Sequence, residues 1–465
     1  MDLHLLMSRA GMPPPLPLRL EALAGEPLPS RQLSSDYLTH TGRDPNDLRK
    51  QRWALVVPQG AAGQRLQSLL APLLELRAHD QGLKVEEVPV LEVPPQMTDA
   101  EALAYRDRFL EPPSRSQRKA ARYVLFAGPP EQVPLVLQDV VTADGVGYAG
   151  RISFDREEDY EAYAAKVVER ESRPGRMGQV SAIVASVSDG SIQTEYGRQH
   201  LVEPLAQRCL ERSKTGELEA GRVIVEDVKG GSADRLLELA AASAPGVLFT
   251  MSHGVGPPCG GWVSPDAQRR AQGNLWLGED QELGAEEVGR RAFMPGGIWF
   301  YFACYGAGTP LRSRYQPWIE HLAEIDPSFK VPLEGIARSR PQDGRPFVGA
   351  MAQAALANPQ GPLAVIAHQD AAWAYSFHDP FAGRSNVERF VDALSDLVEG
   401  CRAGIAVHAL ARFALRVDDA IHRLGSSPAD RAALPHLWME RHDLASYVLL
   451  GDPATRIALE SGPRG

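Results

Sequence analysis

Two apolar runs that each end in a reactive side chain constrain this chain more than any other feature. The first is Gly246-Val-Leu-Phe-Thr-Met-Ser-His253-Gly254 and the second is Gly296-Gly-Ile-Trp-Phe-Tyr-Phe-Ala-Cys304-Tyr-Gly306. Each has the length and the β-branched and aromatic content of a buried strand, and each stops at glycine. In an open parallel sheet such strands lie side by side, and their carboxyl ends line the crevice where ligands bind. His253 and Cys304 are therefore expected to face one crevice. A thiol becomes a good nucleophile when a base lies close to it, and an imidazole is such a base, so the pair reads as a Cys/His dyad.

The 465 residues exceed what one hydrophobic core usually supports, which predicts two subdomains with elaborations. A formal net charge of −10 argues against a general nucleic-acid binder, whose phosphate contacts need a basic face, and mildly favours a basic peptide substrate. The four cysteines, Cys209, Cys259, Cys304 and Cys401, are too few and too scattered for a disulfide framework, so a reducing compartment is expected. The amino terminus lacks a basic segment followed by a sustained apolar one, and no run approaches membrane-spanning length. The expectation is a soluble cytoplasmic protein without a membrane partner.

Along the chain, residues 1–48 carry Pro13, Pro14, Pro15 and Pro17 and no convincing apolar period, and read as an extended arm. From Trp53 a strand (53–57), a helix face (Leu66, Leu69, Leu70, Leu73, Leu74), a strand (85–90), a helix (100–110) and a strand (122–126) alternate. This βαβαβ order predicts a parallel sheet in an N-terminal α/β subdomain, residues 49–175. After the turn-rich Arg173-Pro174-Gly175 a second set begins, residues 176–380. It has a strand ending at Ser188-Asp189-Gly190, a helix over 194–210, a strand over 222–225 and a helix capped by Ser232. The His253 and Cys304 strands come next, then Gly361-Pro-Leu-Ala-Val-Ile-Ala367, ending in His368-Gln369-Asp370. Residues 381–465 add helices, with Val387, Phe390, Val391, Leu394 and Leu397 at helical spacing.

The dyad residues are 51 positions apart, within His-Gly and Ala-Cys-x-Gly, a layout that resembles caspase-like cysteine peptidases of clan CD. Phe302 stands where the caspase signature has glutamine. Further stretches resemble the gingipain-like and CHAT-domain branches. These are Tyr148-Ala-Gly150-Arg151-Ile-Ser with Tyr160, Tyr163 and Lys166, then Ala364-Val-Ile-Ala-His-Gln-Asp370-Ala-Ala-Trp373, and Leu450-Gly451-Asp452-Pro453-Ala454. The resemblance implies a caspase-like α/β fold: a mostly parallel sheet flanked by helices, with an N-terminal pseudo-subdomain. It also implies a bacterial-type cysteine endopeptidase that needs no cofactor.

Cys304 as thiolate would attack a peptide carbonyl, with His253 taking the thiol proton and delivering it to the leaving amine. The amides of Gly254 and Cys304 are the expected oxyanion donors, because a glycine turn lets backbone approach substrate closely. No residue stands out to orient His253. The resemblance places the pocket for the residue before the scissile bond at the ends of the first and the post-nucleophile strands, where this chain has Asp189 and Asp370. Carboxylates there would select arginine or lysine. Trp373 and Tyr375 are placed as floors of adjacent subsites. The implied partners are a protein or peptide with a basic residue before the scissile bond and, by analogy, a proenzyme-like or effector protein activated by limited cleavage.

Plainer readings compete. Asp189 before glycine suits an Asx turn, and Asp370 suits a helix cap. Cys259, after Pro257-Pro258, is a rival nucleophile without a strand to hold it, and a second metal-ligand pair is missing, so no metal is expected. Arg269-Arg270 and Arg290-Arg291 are candidate self-cleavage sites if they lie in exposed loops. A catalytically silent peptide-binding module of this fold, and a Cys/His hydrolase of small amides or thioesters, remain the alternative functions.

Overall fold

The computed structural model describes residues 44–459 apart from 111–120, 144–146, 174–179, 230–232, 243–244, 279–280, 380–382 and 426–433. Most of the proline-rich arm, and Pro174-Gly175 of the expected linker, lie outside the described residues.

Ten strands form one sheet: β1 (Trp53–Pro58), β2 (Val90–Val93), β3 (Tyr123–Ala127), β4 (Tyr148–Ile152), β5 (Ser181–Ser188), β6 (Arg222–Lys229), β7 (Gly246–Met251), β8 (Ile298–Phe302), β9 (Ala364–His368) and β10 (Tyr447–Gly451). Their spatial order is β2-β1-β3-β4-β10-β9-β8-β7-β5-β6. Neighbours within β1–β4 are parallel, as are neighbours within β5–β9. The last strand of the chain fills the seam between these two sets, runs antiparallel to β9 and meets β4 at the pair Leu450 and Arg151. Six helices bear on the crevice and its supports: α1 (Ala71–Gln81), α2 (Leu135–Thr142), α3 (Glu157–Glu171), α4 (Ile192–Gly197), α5 (Ala350–Ala357) and α6 (Leu434–Ala445).

The sheet is covered on both faces, which is why its central strands read as unbroken apolar runs. On β8, Phe300 and Phe302 enter one core, and Trp299 and Tyr301 the other, as the two-residue strand period requires. On β5 the same alternation sends Val184 to the first core, and Ile183 and Ala185 to the second.

The strands expected around the two reactive residues are present. Two local readings shift. Val85–Glu87 is a 3-10 turn and the second strand is Val90–Val93 instead. Pro89 has no N–H for the ladder, and pairing starts at its carbonyl, which accepts from the Leu55 amide at 3.0 Å. The helix expected from Thr194 starts earlier, at Ile192, because Ser191 is its N-cap and accepts from the Thr194 amide at 3.3 Å.

Candidate active site

The two reactive residues reach one place because of strand register. Met251 pairs with Phe302 across the parallel ladder of β7 and β8, and the Ser252 amide donates to the Phe302 carbonyl at 3.2 Å. Past these strand ends the two segments stay together, with Gly254 directly against Cys304, which brings the neighbouring His253 close to Cys304. The backbones touch. A Cβ on Gly254 would lie 1.9 Å from the Cys304 carbonyl oxygen and 3.1 Å from its nitrogen, so only glycine can follow His253. The two residues expected to supply oxyanion amides are thus in direct backbone contact. His253 and Gly254 also pair with Trp276 and Leu275 of an antiparallel strand pair, Leu275–Gly278 with Gln281–Leu283.

The chain leaves β8 under strain. Tyr305, directly after Cys304, has a φ of 58°, a left-handed conformation that costs a side-chain-bearing residue about 1–2 kcal/mol. The surroundings hold it there: its amide donates to the Asp370 carbonyl at 2.9 Å, and the Ala307 amide to the His368 carbonyl at 2.9 Å. The turn presents the Cys304 side chain to the segment that succeeds β9.

That segment seals the thiol. Cys304 is fully buried, and its Sγ accepts a hydrogen bond from the Ala372 amide at 3.3 Å. Burial pushes the thiol up to about 12; the Ala372 amide pulls it down, and the charges of Asp370 and Asp443 push it further up. In this arrangement burial favours the protonated form of Cys304 and closes it to solvent. Asp443, on α6, pins the covering segment. Its Oδ1 accepts from the Trp373 amide at 3.0 Å and lies 3.1 Å from His368 Nε2, and its Oδ2 accepts from the Ser376 amide at 2.8 Å. Sequence reasoning missed Asp443, which is remote in the chain and carries no motif.

His253 is 1 % exposed and is met from β5. Its Nε2 lies 2.9 Å from Ser191 Oγ and 3.8 Å from Asp189 Oδ2. Asp189 Oδ1 accepts from the Ser191 amide at 3.0 Å and from Thr194 Oγ1 at 2.7 Å. Burial alone would raise the Asp189 carboxyl, but the positive charge of His253 and the hydrogen bonds from Thr194 and Ser191 outweigh it and hold the group below its ordinary value. The Asx turn considered for Asp189 is present, and the same carboxylate also faces the imidazole. Ser191 and Thr194 were not singled out in the sequence; their only signal was the N-cap spacing.

The other expected subsite residues are closed to solvent. Asp370 is 1 % exposed, with Oδ1 accepting from the Ala371 amide at 2.8 Å and Oδ2 from the Arg314 amide at 2.9 Å. Both oxygens hold loop backbone, and neither is offered to a substrate cation. Burial raises its carboxyl despite these two amides. Trp373 and Tyr375 are core residues at 4 % and 2 % exposure, and they line no open subsite here. Cys259 is exposed, and its carbonyl accepts from Arg338 at 2.8 Å. Arg269 and Arg270 lie in a helix, Pro265–Ala271, with Arg269 paired to Asp343, so they do not offer the extended loop expected for self-cleavage. Arg290 ends the helix Ala285–Arg290, and Arg291 pairs with Asp234.

A shallow cleft with room for little more than a water molecule lies beside the loop after Cys304, lined by Gln138, Arg151, Thr309 and Gln369 among others. Among the described residues no group of His, Cys, Asp and Glu is placed to hold a metal ion. None of the described helices is long and apolar enough to cross a membrane.

No protein-family model matches the chain, and no curated protein matches it. Among solved structures, a protein described only as a protease superposes with a TM-score of 0.51 at 13% identity, over 87% of this chain and 78% of the other. The Arg-specific cysteine proteinase gingipain R superposes at 0.49 with 14% identity, over 88% and 79%. The complex of Porphyromonas gingivalis RgpB pro- and mature domains gives 0.48 and 13%, over 87% and 80%. At these identities the likeness is one of fold: a mostly parallel ten-stranded sheet flanked by helices.

Proposed function

We propose that this chain is a cysteine endopeptidase. The observation that carries the reading is the backbone contact between Gly254 and Cys304 just past adjacent strand ends, which brings His253 and Cys304 to one locality. In the proposed reaction the Cys304 sulfur forms a bond to the peptide carbonyl carbon while its proton passes to His253. The C–N bond then breaks as His253 protonates the leaving amine. Water hydrolyses the resulting thioester, and its proton returns through His253 to the sulfur. The amides of Gly254 and Cys304 would bind the oxyanion.

The substrate we propose is an extended peptide or protein segment with arginine or lysine before the scissile bond, cut in a limited way. Of the two carboxylates considered, Asp370 spends both oxygens on loop amides, which leaves Asp189, whose side chain is 5 % exposed and must be uncovered as substrate binds. Its Oδ1 takes the hydrogen bonds from Ser191 and Thr194, and Oδ2, directed toward the crevice residue His253, is the oxygen that would receive the cation.

The sealed thiol favours a second reading, a peptide-binding module that keeps the fold without turnover. The peptidase reading requires the segment 370–377 to withdraw from Cys304 when substrate binds, a loop movement of the kind that often completes an active site. The test is cleavage of a mixed peptide library at neutral pH under reducing conditions. The peptidase reading expects cuts after Arg or Lys by the wild type, none by Cys304→Ala, and loss of the basic preference in Asp189→Asn. Cuts that persist in Cys304→Ala would overturn the assignment of the nucleophile. Cuts after other residues would overturn the specificity.

A further inference from the structure

We infer that Ser191 and Thr194 form a directed hydroxyl relay that joins His253 to Asp189, fixes the imidazole tautomer, and leaves Nδ1 as the proton acceptor for the Cys304 thiol. This inference rests on the dyad reading above and adds positioning residues to it.

The direction comes from counting protons. Asp189 Oδ1 can only accept, so the Thr194 hydroxyl, 2.7 Å away, donates to it. That uses the single proton of Thr194. Ser191 Oγ, 3.0 Å from Thr194 Oγ1, must therefore be the donor between the two hydroxyls. Ser191 then has no proton left for His253 Nε2 at 2.9 Å, so Nε2 carries the hydrogen and donates. Ser191 Oγ also receives the Thr194 amide at 3.3 Å, which fills its second acceptor position. In this arrangement every hydroxyl in the relay is saturated, whereas a Ser191 proton given to Nε2 would leave the Ser191–Thr194 contact without one.

The position of the relay matches this chemistry. β7 lies between β5 and β8 in the sheet, so a ring that gives Nε2 to the β5 side leaves Nδ1 for the β8 side, and the Cys304 sulfur, now bonded to the Ala372 amide, would turn to it when the covering segment withdraws. Thr194 is 1 % exposed, and the side chains of His253 and Asp189 are 1 % and 5 % exposed, so water competes weakly for these bonds. Asp189 Oδ2 lies 3.8 Å from Nε2, near enough for its charge to favour the imidazolium formed when the thiol gives up its proton. Asp189 thus acts on the base through two hydroxyls with Oδ1, while its other oxygen remains for the substrate cation.

Thr194 separates these two roles, because changing it leaves the Asp189 charge in place. Thr194→Val keeps the shape and removes the donor; Thr194→Ser restores it. We expect Thr194→Val to lower kcat about tenfold or more with little change in KM, and to move the acidic limb of the kcat/KM profile to lower pH, since a less stabilised imidazolium gives up its proton earlier and frees the base. Thr194→Ser should recover both. A wild-type acidic limb in Thr194→Val, or a Thr194→Ser variant as impaired as the valine variant, would overturn the relay. Observing His253 directly by carbon-labelled histidine NMR keeps this test apart from the peptidase question. A wild type inert on every peptide, whose His253 carries hydrogen on Nε2 and titrates at higher pH than in Thr194→Val, would support the relay and discard the peptidase. Hydrogen on Nδ1 in the neutral wild-type ring would overturn the relay whatever the activity.

Discussion

Two aspartates in the same sheet, Asp189 and Asp452, are built into opposite kinds of site. Asp452 comes directly after β10, which runs antiparallel to β9, so it sits on the edge of the sheet away from His368 and the crevice. Its Oδ2 receives the Arg77 guanidinium at 2.7 Å, and its Oδ1 the Trp53 indole at 2.8 Å and the Ala454 amide at 3.0 Å. Arg77, from α1, also binds Glu171 at the end of α3, and both Arg77 and Asp452 are wholly buried. Here a carboxylate meets a charge directly and locks β1, α1, α3 and the final strand together. Asp189 instead reaches a titratable ring through two hydroxyls at the crevice rim. The first arrangement suits permanence. The second lets a proton come and go, because the relay stabilises the charged ring without binding it as firmly as a guanidinium would.

The contrast can be broken first at the locked end. Arg77→Ala strands Asp452 and Glu171 in the core, and breaking a buried pair in this way costs about 3–5 kcal/mol. Urea unfolding should show that loss as a much lower midpoint, whereas Thr194→Val, which leaves Ser191 and Asp189 short of one partner, should cost only about 1–3 kcal/mol. Equal losses in the two variants would erase the distinction between the edges.

A smaller effect is expected at Asp443. Asp443→Ala leaves the Trp373 and Ser376 amides without their acceptor, which should cost about 1–3 kcal/mol. It should also loosen the segment that covers Cys304, so that iodoacetamide labels Cys304 faster than in wild type. Unchanged labelling with lowered stability would show that Asp443 supports the fold without controlling access.

Much of this arrangement could be read from residue order. Strands buried on both faces are plain apolar runs, so β5, β7, β8 and β9 were legible, as was the ending of two of them in His253 and Cys304. The role of Gly254 was legible in part, as a site of close backbone approach, although its neighbour turned out to be Cys304 itself. What the residue order hid was long-range polar satisfaction. Asp370 looks like a pocket carboxylate until Arg314 and Ala371 are seen to fill its oxygens, and Trp373 and Tyr375 look like subsite walls until the covering segment is seen to turn inward. Asp443 acts on Cys304 through backbone amides, which leave no trace in side-chain pattern. Ser191 and Thr194 were hidden differently: their N-cap spacing explains them locally, and the imidazole they also serve lies on another strand. The insertion of β10 between β4 and β9 was equally hidden, since a single strand at the end of a chain says nothing of its neighbours.

The most direct test of the central claim, that Cys304 and His253 form one reactive pair, is covalent trapping read by intact-protein and peptide mass spectrometry. The protein would be incubated near neutral pH with a peptidyl chloromethyl ketone that ends in arginine. One adduct on Cys304 in the wild type, at least tenfold slower in His253→Ala and with Cys259 unmodified, is the predicted result. An adduct on Cys259, or a Cys304 that stays unmodified in both wild type and Asp443→Ala, would contradict it.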